Sequence, residues 1–120
     1  MKYLSLILSL FACSSSAPAQ EGYKIDKDII EFYYDGANSL KNVYVSANFN
    51  EWTKDDEAWK MKYDTNAKRW KLNKSISAIR SYGSFLEFGF LVDGKLINAP
   101  HSAKNTIYCI GYGRRYVIKE

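Results

Sequence analysis

From Ile29 onward the apolar residues of this chain alternate with polar ones, in short runs separated by Gly, Asn, Asp and Ser clusters. A period of two marks half-buried strands, because successive side chains of extended backbone point to opposite faces. Ile30, Phe32 and Tyr34 share one face of a first strand, ended by Asp35-Gly36, and Val43, Val45 and Ala47 share a face of a second, ended by Asn48-Phe49-Asn50. Trp59, Met61 and Tyr63 alternate with Lys60 and Lys62 in a third, and Trp70 and Leu72 flank Lys71 in a fourth, with 64–68 as a polar hairpin loop between them. A longer connection, 75–84, leads to Leu86, Phe88, Phe90 and Val92 on one face; Asp93-Gly94 then turns the chain into Lys95-Leu96-Ile97, and a last strand covers about 115–119. No stripe of helical period stands out. Seven short strands at this spacing predict an all-β fold, an immunoglobulin-like antiparallel sandwich rather than a barrel, with Trp59, Trp70, Phe88 and Phe90 facing the core.

The amino-terminal stretch follows another logic. Met1-Lys2 is a short basic start, Tyr3 to Ala12 is apolar apart from two serines, and Cys13 to Ala19 is small and polar, the build of a bacterial-type export signal. Ala17-Pro18-Ala19 offers a small-x-small cleavage site, whereas Leu10-Phe11-Ala12-Cys13 resembles the lipobox of bacterial lipoproteins, with Cys13 as the lipidation site. The layout is therefore 1–19 as export signal, or 1–12 if the lipobox is used, 20–28 as tether and 29–120 as the domain. Either route exports the protein to the periplasm, the cell envelope or the medium, and only lipidation ties it to a membrane.

Composition narrows the functional classes. The 120 residues carry 17 basic and 13 acidic side chains, a net +4, with 47% hydrophobic and 25% charged residues, which fits one globular core and not a disordered chain. The lysines are scattered rather than run together, which argues against nucleic acid as a partner. Once Cys13 is removed or lipidated, Cys109 has no partner for a disulfide, and its neighbours Ile107, Tyr108 and Ile110 suggest a small buried hydrophobe. Nucleophilic catalysis needs a base beside the nucleophile, and the single histidine, His101, sits in a Pro-His-Ser loop without a motif. Asp55-Asp56-Glu57 beside Lys54 reads as solvated loop charge, and Gly111-Tyr112-Gly113 lacks the spacing of a phosphate cradle. One histidine and one mature cysteine leave an oxygen-only calcium site as the metal option. The expectation is a binding module, not an enzyme, with no cofactor.

Two linked stretches carry a resemblance: Val43-Tyr-Val-Ser-Ala-Asn-Phe-Asn-Glu-Trp-Thr-Lys54, then Leu86-Glu-Phe-Gly-Phe-Leu-Val-Asp-Gly94 with Asn98-Ala-Pro100. They resemble the glycogen-binding domain of the AMP-activated kinase β subunit and the early-set domains of glycogen branching and debranching enzymes. The resemblance covers about residues 29 to 120 and implies a sandwich that docks α-1,4-glucan chains on aromatic faces. Trp52 matches the family's first stacking tryptophan, although with Phe49 it has an alternative use in closing the sandwich. The family's sugar-contacting lysine falls on Gly89 and its second tryptophan on Leu96; restoring them by Gly89→Lys and Leu96→Trp is expected to strengthen binding. The carboxy-terminal sugar-binding loop aligns with Gly111 to Arg115, where Tyr112 and Arg114 offer substitute contacts.

Two functions follow as expectations. The first is an exported, non-catalytic carbohydrate-binding module for α-glucan or another oligosaccharide, with Trp52 as platform, Leu96 in the second tryptophan's place, and Lys95, Tyr112 and Arg114 around the rim. Sugar rings present apolar C–H faces to an indole, while their hydroxyls need polar partners around it. The second is a cell-envelope protein-interaction or structural module that keeps the sandwich and has lost the sugar site.

Overall fold

Alternation along Ile29–Tyr34 and Glu87–Val92 sends Ile30, Phe32, Phe88 and Phe90 into one shared interior, where each is essentially inaccessible to water. A computed structural model describes residues 22–111 and 113–119. Its strands are β1 (Tyr23–Asp26), β2 (Ile29–Tyr34), β3 (Val43–Ala47), β4 (Lys62–Asp64), β5 (Arg69–Ser75), β6 (Glu87–Val92), β7 (Lys95–Ile97), β8 (Thr106–Cys109) and β9 (Gly113–Val117). One antiparallel sheet has the order β1-β2-β5-β4; the other runs β3-β6-β9-β8, with β7 also paired to β6. The first order is that of immunoglobulin strands A-B-E-D, and β3-β6-β9 is C-F-G, with β7 and β8 inserted between F and G. The fold is thus the all-β sandwich that the alternation predicts.

Rings from both sheets make the core. Phe32 meets Phe88 edge-on at 4.9 Å, and Phe88 stacks on Tyr116 at 5.0 Å, geometries that add to the gain from burial alone. Trp70 is buried and donates its indole N–H to the Ala37 carbonyl at 3.1 Å, which satisfies its polar end. Trp59, by contrast, is only half-buried and not on a strand. Asp56 caps a 3-10 turn at Glu57–Trp59 by accepting from the Ala58 N–H, and the Met61 N–H then donates to the Val43 carbonyl across on the other sheet. The third expected strand is therefore shortened to β4, and Trp59 packs against Phe32 and Phe49 with the Lys74 ammonium 4.6 Å from its ring centre.

Two strands go beyond the seven expected. The stretch expected as a tether, 20–28, contains β1, whose Tyr23 and Ile25 pair with Phe32 and Ile30 and whose Tyr23 hydroxyl accepts from the Lys119 N–H at 2.8 Å. The folded unit thus starts before Ile29. β8 escapes an alternation search because Ile107 and Tyr108 are exposed, although they lie on opposite faces of the strand. The 75–84 connection holds a one-turn helix, α1 (Ile76–Arg80), capped by Ser75, with Ile76 and Ile79 buried. The last strand begins at Gly113, two residues earlier than expected.

Candidate functional site: a groove on the outer face of the five-stranded sheet

The two outer faces of the sandwich differ. On the four-stranded sheet Lys71 lies 3.3 Å from both Glu31 and Asp64, Lys24 lies 3.9 Å from Glu31, and Arg69 pairs with Asp35 at 2.8 Å at the margin. That face is a solvated, charge-paired surface. The outward positions of the five-stranded sheet are instead Tyr44, Ser46, Gly89, Leu91 and Arg115, all buried, with Leu96 and Cys109 half-buried beside them. Here the surface forms a groove of about 590 Å³, within the roughly 300–1,000 Å³ range of small-ligand sites.

Leu91 and Leu96, a cross-strand pair between β6 and β7, form its apolar floor, with Ser46 of β3 and Cys109 of β8 on either side. Gly89 lies between them. A methyl group there would stand 3.2 Å from both the Arg115 Cδ and the Leu96 Cδ1, so the glycine gives the Arg115 stem room that any side chain would narrow by a few tenths of an ångström. The guanidinium is then held by donation from Nη1 to the carbonyls of Arg114 at 2.8 Å and Ile97 at 3.4 Å. Arg115 is 5% exposed. Burial holds its pKa below the ordinary arginine value, the nearby Cys109 and Glu87 acting in the opposite direction.

Trp52 and Lys54 form the groove's other wall, from the loop after β3. Glu51 and Trp52 both adopt left-handed backbone, with φ of 59° and 52°. Such a conformation costs an L-residue roughly 1–2 kcal/mol. The loop is held in it by Asn50, whose side-chain oxygen accepts from the N–H groups of Ala47 (2.9 Å) and Thr53 (3.4 Å) while its amide donates to the Val45 carbonyl (3.0 Å). The Trp52 N–H closes the turn on the Ala47 carbonyl at 2.8 Å. Strain of this kind persists where surrounding bonds over-determine it, and here it turns a half-buried indole toward the groove.

Of the residues singled out in the sequence, Trp52 and Leu96 therefore meet in one groove. Lys95 does not line it; it is exposed and paired with Val92, on the opposite side of β7 from Leu96. Arg114 also points to the other face of its strand, where its guanidinium lies 5.9 Å from the Tyr108 ring centre and donates to the Thr106 hydroxyl at 3.2 Å. Tyr112 and Cys13 lie outside the described residues. Arg115 is the groove residue that the sequence reading passed over, and the signal was present: it has the parity of Val117 and the opposite parity to core-facing Tyr116. Its stem also occupies the space above Gly89, so Gly89→Lys adds a side chain where a cation already lies.

Cys109 is half-buried at the groove, not enclosed in the core. His101 and Asp55, Asp56 and Glu57 are exposed, and among the described residues no three His, Cys, Asp or Glu side chains converge as metal ligands would. No known protein-family model matches this sequence, and no curated protein does. Fold and groove together define the class: an antiparallel immunoglobulin-type sandwich with a mixed apolar and cationic groove on one sheet face.

Proposed function

We propose that this domain is a non-catalytic carbohydrate-binding module, exported from a bacterial cell, that holds an oligosaccharide of the α-glucan type in the groove. The observation that carries the reading is the strained, Asn50-pinned turn that sets the Trp52 indole along the groove wall. Sugar C–H faces stack on such a ring and on the floor leucines, while Ser46, Lys54, Glu87 and Arg115 supply polar groups for hydroxyls. The resemblance of the Val43–Lys54 and Leu86–Gly94 stretches to glycogen-binding domains points the same way. The test is a titration of the fragment 20–120 with maltohexaose, read by tryptophan fluorescence. Saturable binding that Trp52→Ala abolishes is the expected result; no binding to any α-glucan overturns the reading.

One observation favours the second reading, a cell-envelope interaction module. Among the described residues strand β8 is an edge whose Ile107 and Tyr108 are exposed, and Ile110 in the following turn is 89% exposed. Uncharged, apolar edges are templates for strand pairing. On this reading Tyr108→Lys abolishes an association that sedimentation detects; a monomer with either residue removes its basis for self-pairing.

A further inference from the structure

The residues that face the groove are not electrically neutral. Among the described residues that line it, Lys54 and Arg115 are cationic and Glu87 is the one carboxylate. The loop that carries Trp52 and Lys54 also holds Glu51, Asp55, Asp56 and Glu57, none of which lines the groove; Asp56 caps the Glu57–Trp59 turn and Glu57 accepts from the Tyr44 hydroxyl at 3.5 Å. On the opposite face of the sandwich Lys71 and Arg69 are matched by Glu31, Asp64 and Asp35. The groove lining thus carries one cation more than carboxylates, where the opposite face pairs these charges.

Arg115 is also placed for one kind of guest. Its stem lies on Gly89 and two backbone carbonyls fix its guanidinium, so the ordering cost of a long side chain is met before a ligand arrives. A buried guanidinium attracts a carboxylate through its charge, a pull that a neutral hydroxyl does not share. Burial disfavours the charge on Arg115 even with Glu87 beside it, so an added anion at this place is favourable. The apolar floor and Trp52 restrict that anion to one that brings C–H faces with it.

We propose that the groove prefers an acidic oligosaccharide, a chain of sugars bearing carboxylates, over a neutral one, with Arg115 and Lys54 taking the carboxylates and Trp52 stacking on a ring. The inference rests on the reading of the groove as a sugar site. It is tested with two probes that share one backbone: maltohexaose, and the same oligosaccharide with its C6 hydroxyls oxidised to carboxylates. The oxidised chain is expected to bind at least roughly tenfold more tightly, the worth of one charge-assisted hydrogen bond. That preference shrinks as NaCl rises from about 50 mM to about 500 mM. Lys54→Gln, a change at an exposed side chain, narrows the preference roughly two- to fivefold, and Glu87→Gln widens it.

Equal affinity for the two probes, or a preference that neither substitution moves, overturns the proposal. If maltohexaose alone binds, the sugar reading stands and the acidic preference falls. If neither binds, both fall together.

Discussion

Asn50 commits both ends of its amide to the turn that presents Trp52, the oxygen accepting twice and the nitrogen donating once. Asn50→Ala leaves buried backbone groups of β3 without partners, so it is expected to lower stability by about 1–3 kcal/mol and to weaken sugar binding as well. Chemical denaturation and the fluorescence titration measure the two effects separately. Phe88→Ala removes a ring that touches Phe32, Phe90 and Tyr116 at zero exposure, and should cost about 3–5 kcal/mol. Trp52→Ala, at a half-buried loop site, should cost no more than about 1–2 kcal/mol. If the two substitutions destabilise equally, Trp52 is part of the core and not a platform. Phe88 and Trp70 were readable as core from alternation; Trp59 packs against that core half-buried, but from a 3-10 turn rather than a strand, because an Asp56 cap outweighs a period of two over so short a stretch. Arg115 escaped notice for a physical reason: buried arginines are rare, and this one lies over the space that the missing side chain of Gly89 leaves.

At the scale of elements, Asp28 ties the β1–β2 turn to the start of α1. Its carboxylate accepts from the Ser75 hydroxyl at 2.9 Å and the Ser77 N–H at 3.2 Å, and those bonds hold its pKa below the ordinary aspartate value. A lowered folded-state pKa means the unfolded chain binds the proton more readily, so this stabilisation is present above the ordinary value and is lost as pH falls through the lower one. Asp64, held down first by the Ala67 N–H and then by Lys71, acts in the same direction on the β4–β5 hairpin. Melting temperature should thus fall below about pH 4, and Asp28→Asn should flatten that fall; an unchanged profile in the variant removes Asp28 from the acid response. β1 and β8 were the elements least legible in the sequence. β1 has two apolar positions after a polar stretch and gains its identity from pairing with β2, and β8 is an edge with apolar residues on both faces, so neither writes a one-sided pattern.

At the scale of the molecule, the two sheet faces differ: one is solvated by paired charges and the other carries the groove. The proposed export predicts a processed start. Mass spectrometry of the native protein should find either Gln20 as the first residue or a diacylglycerol mass on Cys13; an intact, unmodified Met1 contradicts export. The central claim is that Trp52 and the groove floor hold the sugar. Its most direct measurement is an amide and indole nuclear magnetic resonance titration with oligosaccharide, since the chain has three tryptophans and so three indole N–H signals. The account predicts that the Trp52 indole and the amides around Gly89, Leu96 and Arg115 shift together and saturate, while the Trp59 and Trp70 indoles stay in place. Shifts confined to β8, or none at all, would contradict it.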